Sequence, residues 1–125
     1  MWQEEDGNWW LTRDGNRIGY YPAAIFNNLA EPETVGWGGI GVSPSNGISP
    51  PVGSGIFPDG NYKHTSQFRS VQYRNSSGVL DVPQANTIDT IIDSPNCYLI
   101  HFLGYIDVLG GYTLEFGGPG GKCSI

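Results

Sequence analysis

The chain has 125 residues, 38% of them hydrophobic and 13% aromatic, which suits one small domain with a packed core. Its formal net charge is −6 and its six Lys and Arg residues are dispersed, which excludes a basic surface for nucleic acid or for an anionic membrane. No apolar run approaches the ~18 residues of a membrane-spanning helix, and the N-terminal residues lack the basic start and apolar core of a signal peptide. With 19 Gly, 9 Pro and 14% charged residues, the composition favours a loop-rich, all-β fold.

The first 21 residues predict a meander of three short antiparallel strands. Alternating apolar and polar residues in "WWLTR" and "RIGYYP" are typical of strands, with aromatic side chains on both faces. Two "DGN" sequences, at 6–8 and 14–16, supply the Asp-Gly and Gly-Asn pairs that tight hairpin turns require.

The next segment, residues 22–32, predicts the one short helix of the chain. Pro22 suits a first helical turn, and Ile25, Phe26 and Leu29 share one face. A helix this short must be held by packing, because its intrinsic propensity is insufficient.

The remaining sequence predicts further strands. After Trp37-Gly38-Gly39 and a loop rich in Ser, Pro and Gly, residues 62–75 alternate as a long, mostly polar strand. β-branched and aromatic runs predict strands at 87–93 and 97–109, and the C-terminal residues predict a last strand that ends in a glycine-rich clasp at Cys123. Turns every 8–12 residues indicate a single antiparallel β-sandwich domain, with a jelly-roll-like arrangement of its strands.

No motif predicts a metal site or a cofactor. His64 and His101 are the only histidines, and neither has a second ligand at the usual spacing. Ser54 in "VGSGIF" lacks the spacing of a nucleophile elbow, and "GGPGGKCS" lacks the spacing of a phosphate-binding loop. Ser54 is better explained as a turn residue, and the glycine-rich sequence as a C-terminal clasp.

Carboxyl groups offer little for acid/base hydrolysis, which needs two of them in one cleft with pKa values pushed apart. Four of the five glutamates are expected to be solvated charges, at positions Glu4, Glu5, Glu31 and Glu33. Glu115 alternates with Leu114 and Phe116 on the last strand, so it points either outward, which is the favoured interpretation, or into a cleft.

The two cysteines, Cys97 and Cys123, indicate either one disulfide in an oxidising compartment or two free thiols. The tripeptide Asn75-Ser76-Ser77 is an N-glycosylation sequon in a turn-like setting. The early aromatic residues belong to the core or line a groove, where they would stack on sugar or proline rings.

Seven short sequences, taken in order along the chain, resemble the C-terminal part of the catalytic domain of the neprosin family. They are "DGNWWL" (6–11), "IGYYP" (18–22), "IFNNLA" (25–30), "WGG" (37–39), "VGSGIFP" (52–58), "CY" (97–98) and "FGGPGGKC" (116–123). Residues 1–125 are therefore interpreted as the C-terminal portion of such a domain, which would make the sandwich an incomplete one.

The resemblance implies a secreted, mostly plant family of glutamic endopeptidases that cleave beside proline at acidic pH. It implies an antiparallel β-sandwich with a substrate cleft, here represented by Trp37, Gly38, Gly39 and Tyr20, and two catalytic glutamates. It also implies a disulfide that matches Cys97 and Cys123.

The family has a glutamate after Trp-Gly-Gly, but this chain has Ile40 there. A hydrocarbon can neither hold a proton nor polarise water, and the region that would carry the other glutamate has no counterpart in the chain. The sequence therefore predicts a catalytically inactive copy whose remaining partners would be proline-containing peptides. The alternative is a non-catalytic β-sandwich that binds peptides or carbohydrates.

Overall fold

The computed structural model describes residues 2–3, 5–27 and 32–123, which fall into two compact units, residues 1–36 and 37–125. Every pair of described strands is antiparallel, and the helical residues within the described ranges all lie in 3-10 turns, so the prediction of an all-β fold is confirmed. The described strands form three sheets, of three, three and two strands. Whether two sheets pack as a sandwich stays a prediction.

The first unit contains the predicted meander of β1 (Trp2–Gln3), β2 (Trp9–Arg13) and β3 (Asn16–Tyr21). Asp14 and Gly15 both have positive φ, 50° and 77°, which is the geometry that an Asp-Gly hairpin turn requires. The two strands therefore pair in the register that the turn sets, with Arg13 opposite Asn16.

Side chains on this meander are held by contacts that begin in the first turn. The carboxylate of Asp6 accepts hydrogen bonds from the backbone N–H of Asn8 at 2.9 Å and from Nε1 of Trp10 at 3.2 Å. The bonds from Asn8 are the main reason why the pKa of Asp6 lies below its usual value. The Trp10 ring lies 4.9 Å from the Tyr20 ring. The Arg17 guanidinium lies over the Trp10 ring, 4.4 Å from its centroid.

The helix predicted over residues 22–32 is wrong at its described part. Ala23–Ile25 form a single 3-10 turn, and Phe26 returns to extended backbone, with φ −113° and ψ 123°. None of the three turn residues is buried, and Phe26 packs with its ring edge-to-face against Tyr21 at 6.2 Å, so the packing that a helix this short requires is not formed by the described residues. Leu29 lies outside the described residues. Among the residues that are described, no helix is long and apolar enough to cross a membrane.

The second unit is built around β8 (Gly111–Gly117), which lies between β4 (Ser66–Phe68) and β7 (Leu99–Ile106). Burial is concentrated on this central strand, where Thr113 and Glu115 have no exposed surface. On the opposite face of β8, the Phe116 ring stacks on Phe68 at 5.0 Å. The strands predicted at 97–109 and in the C-terminal residues are confirmed with shorter bounds.

The long strand predicted over 62–75 is wrong, because the segment holds only β4 and β5 (Tyr73–Arg74), and β5 pairs with β6 (Leu80–Asp81) in a separate sheet. Ser70 interrupts the extended backbone between β4 and β5 with a φ of 51°. The Ser70 hydroxyl donates to the carbonyl of Gly110 at 3.0 Å.

The strand predicted over 87–93 is also wrong. A 3-10 turn occupies Ala85–Thr87, and the residues that follow it belong to no strand. Ile91 is 84% exposed, so this β-branched run has no sheet against which to pack.

The glycine-rich clasp and its disulfide are confirmed. Cys97 and Cys123 are bonded, with Cα atoms 5.8 Å apart, and isolated bridges join Ser49 to Gly121 and Val52 to Gly118. A Cβ on Gly118 would overlap the carbonyl oxygen of Cys97, so the close approach at this point requires glycine.

Candidate functional site

The segment that begins with Trp-Gly-Gly packs against the rest of the second unit, with Gly39 and Gly41 turned inward. A Cβ on Gly39 would lie 2.6 Å from Cγ1 of Val52 and 3.0 Å from the Phe116 ring. A Cβ on Gly41 would lie 3.0 Å from the Tyr98 hydroxyl. Ile40, between these two inward positions, is 91% exposed. The backbone therefore presents the side chain of position 40 to solvent, at the position where the resemblance implies a carboxyl group.

The two glycines after Trp37 have different surroundings. Trp37 is half-buried, whereas Gly38 is exposed and would tolerate a Cβ, because no atom lies within 4 Å of one. Of the two glycines, Gly39 is the one that packs closely, and its neighbours are the side chains of Val52 and Phe116. Tyr20, the fourth residue predicted for a substrate cleft, belongs to the first unit, where it is 53% exposed and its ring lies tilted against that of Trp10. The cleft as a whole stays a prediction.

Residues 38–43 leave their backbone polar groups unused. All six are exposed, and no backbone hydrogen bond joins them to any other residue in the described ranges. The loop beneath is fixed by Tyr98, whose hydroxyl donates to the carbonyl of Pro50 at 2.6 Å. Exposed main-chain donors and acceptors on a supported segment are what an added extended peptide pairs with.

Substituting the two neighbouring glycines separately tests this geometry. Gly39→Ala forces a methyl group into Val52 and the stacked Phe116, so we expect it to lower the free energy of unfolding by about 1–3 kcal/mol. Gly38→Ala, the matched control in open space, is expected to change it by less than about 0.5 kcal/mol. Urea unfolding followed by near-ultraviolet circular dichroism measures both. Equal effects of the two changes would contradict the packing at Gly39.

Glu115 does not supply a carboxyl group at position 40. Successive side chains of a strand point to opposite faces of its sheet, so Glu115 lies on the face away from Phe116, the residue that Gly39 contacts. Its side chain is completely buried, and Oε2 accepts a hydrogen bond from the backbone N–H of Gly60 at 3.0 Å. The favoured interpretation of Glu115 as an outward residue is therefore wrong, because the loop at Gly60 covers that face.

Glu115 and Gln67 form a polar pair on this face of the sheet. Gln67, on β4, stands directly opposite Glu115, and Oε1 of each residue is buried without a hydrogen-bond partner. The amide nitrogen of Gln67 donates to the carbonyl of Tyr62 at 2.7 Å, which fixes the orientation of the amide and turns its oxygen away from that carbonyl. No local sequence pattern around Glu115 predicts this pair, because Gly60, in the loop that covers it, lies 55 residues away from Glu115 in sequence.

The loop over Glu115 carries an exposed acid–imidazole contact. Oδ2 of Asp59 lies 3.1 Å from Nδ1 of His64, and Oδ1 accepts from the backbone N–H of Asn61 at 2.8 Å. The Asn61 N–H is the main reason why the pKa of Asp59 lies below its usual value. Within the described parts of the chain, no three His, Cys, Asp or Glu side chains are grouped so that they could hold a metal ion.

These observations define a class of protein: an antiparallel all-β chain, closed by a C-terminal disulfide, that presents the residue after Trp-Gly-Gly to solvent. The model of the Neprosin family matches residues 1–119, and the chain belongs to that family. The resemblance drawn from seven short sequences is thereby confirmed. No solved structure matches the chain.

Proposed function

We propose that this chain is a catalytically inactive Neprosin-family protein that acts outside the cell and binds proline-containing peptides. The observation that carries the proposal is Ile40, which is 91% exposed at the position after Trp-Gly-Gly. The backbone around it is placed to aim a side chain, but the side chain has no group that can transfer a proton.

Inactivity follows from what a hydrocarbon cannot do. A positioned acid or base typically contributes about 10²–10⁴ to a rate, and a paired mechanism fails when one of its members is absent. Glu115 is the only glutamate of residues 37–125, and it lies buried on the opposite face of β8. It therefore offers no replacement for a carboxyl group at position 40.

Peptide binding is supported by the exposed surface along the same segment. Ile40, Val42 and Ile48 are 91%, 77% and 51% exposed, so apolar side chains flank a backbone with unused donors and acceptors. Proline rings are apolar and extended proline-rich chains lose little entropy on binding, which matches such a surface. The disulfide supports an extracellular location, since such bonds persist in oxidising compartments.

Carbohydrate binding is the second candidate, and it is supported by a different surface. Tyr20 and Tyr21, which point to opposite faces of β3, are 53% and 50% exposed, and the Tyr20 ring lies tilted against the Trp10 ring at 4.9 Å. Sugar rings stack on aromatic faces, whereas the exposed side chains near Ile40 are aliphatic. Oligosaccharides would therefore bind to the first unit and be insensitive to changes at position 40.

One proline-rich peptide series tests both parts of the proposal. We expect no cleavage at pH 3–5 above that of the heat-denatured chain, and measurable binding by calorimetry. Ile40→Glu removes an apolar contact worth about 1.5 kcal/mol or more when buried, so it is expected to weaken binding by about tenfold.

Ile91→Glu is the matched control, because Ile91 is 84% exposed and lies outside the segment. It is expected to leave peptide binding unchanged. Cleavage by the native chain would overturn inactivity, and equal affinities of the two Glu variants would overturn the assignment of the peptide surface to this segment.

A further inference from the structure

We propose that Asn75 carries an N-linked glycan. Asn75-Ser76-Ser77 is the only Asn-x-Ser/Thr sequence with a residue other than Pro in the middle in the 125 residues. The structure places it at the start of the hairpin turn between β5 and β6, where Asn75 is half-buried and residues 76–80 are exposed. This inference does not depend on peptide binding.

The turn uses the side-chain oxygen of Asn75 and leaves the nitrogen available. Oδ1 accepts hydrogen bonds from the backbone N–H of Ser77 at 3.0 Å and of Val79 at 3.1 Å. Nδ2 makes no hydrogen bond with the described residues and is not one of the buried unpartnered atoms. Oδ1 of the amide therefore stabilises the turn, and Nδ2 is available for modification.

Glycan transfer would keep the turn intact, because it changes only the nitrogen. A bond forms between Nδ2 and C1 of the sugar, while the bond from C1 to a lipid diphosphate donor breaks. The proton leaves Nδ2, and the diphosphate departs with the electron pair. Oδ1 keeps both of its acceptor roles, and the backbone bonds of the turn, such as Asn75 N–H to the Val79 carbonyl at 2.9 Å, are untouched.

The rest of the hairpin supports a rigid and open presentation of this amide. Gly78 has a φ of 74°, and its N–H donates to the Asn75 carbonyl at 2.8 Å. Arg74 closes the turn from the strand side by donating to the Gly78 carbonyl at 2.8 Å. The disulfide of the same unit forms in the compartment that also attaches such glycans.

Cell-free translation of the full chain behind a signal peptide, with endoplasmic reticulum microsomes, tests the proposal. The protease-protected wild-type chain is expected to gain the mass of one glycan, which an N-glycan amidase removes. Asn75→Asp keeps an acceptor oxygen for Ser77 and Val79 and is expected to gain none. Ser77→Ala is expected to gain none as well, whereas Ser76→Ala is expected to behave as the wild type.

Asn46 is an internal control, because its Oδ1 accepts from the Ile48 N–H at 3.0 Å in a similar turn with no hydroxyl residue two positions later. When the amidase releases the glycan in heavy-oxygen water, it converts Asn75 to Asp with an oxygen from the water. Peptide mapping is therefore expected to find the label at residue 75 and none at Asn46. A protected wild-type chain without a glycan, or a glycan retained in Asn75→Asp, would overturn the proposal. Because glycans are attached as the chain enters the lumen, a variant that folds poorly still gives an answer.

Discussion

Removal of the disulfide is expected to lower the free energy of unfolding by about 3.5 kcal/mol, the chain-entropy value for a loop closed over 26 residues. The loss is a large fraction of the ~5–15 kcal/mol that holds a typical domain together. The bond joins Cys97, which is 2% exposed just before β7, to the C-terminal clasp that crosses Ser49 and Val52. Urea unfolding of Cys97→Ala/Cys123→Ala against the oxidised wild type measures the effect.

The reduced wild-type chain is the matched control, because it loses the covalent bond without any change of sequence. Both forms are expected to unfold at similarly lower urea concentrations than the oxidised chain. A double variant that is as stable as the oxidised wild type would contradict a structural role of the bond. A reduced chain that is as stable would do the same.

Glu115→Gln is expected to raise the free energy of unfolding by about 1–2 kcal/mol at pH 7, the scale of an unsatisfied buried polar group. The amide has nearly the same shape and still accepts from the Gly60 N–H, which Oε2 now does at 3.0 Å. Its nitrogen would replace Oε1 and donate towards Gln67 Oε1, its neighbour across the β4–β8 pair. One substitution thus removes two unpartnered acceptors.

Two further variants make this result specific. Glu33→Gln changes an exposed glutamate in the same way and is expected to have an effect below about 0.5 kcal/mol. Glu115→Ala leaves the Gly60 N–H without its acceptor and opens a cavity, so it is expected to destabilise by about 2–4 kcal/mol. If Glu115→Gln also destabilised by more than 1 kcal/mol, the pairing with Gln67 would be wrong.

Sequence reasoning succeeded where one local signal determines the structure. The pair Asp14-Gly15 requires positive φ at both residues, and this fixes the β2–β3 hairpin and the residue pairs next to its turn, up to the register shift between Leu11 and Thr12. The apolar runs near the C-terminus predict two strands, and these form β7 and β8. The pairing of Cys97 with Cys123 needed only the number of cysteines and a resemblance.

The same reasoning failed where the outcome depends on distant partners. The polar alternation of residues 62–75 does not distinguish a strand from a loop, and the Ser70–Gly110 contact that breaks it spans 40 residues. Residues 87–93 have the composition of a strand but no neighbouring strand, and composition alone cannot supply one. The alternation around Glu115 correctly separated its face from that of Phe116, but the burial of that face by the Gly60 loop was not encoded nearby.

A β-bulge interrupts the pairing of β7 with β8, and it affects how the protein behaves in concentrated solution. β7 is eight residues long and, among the described strands, pairs with β8 alone, so its other side is able to recruit strands from further molecules. The register shifts between Phe102 and Gly104, and Gly104 has a φ of 75°. Beyond Phe102, an incoming strand would meet amide hydrogens and carbonyl oxygens out of step with its own. The bulge therefore works against the growth of fibrils from the one long edge of this sheet.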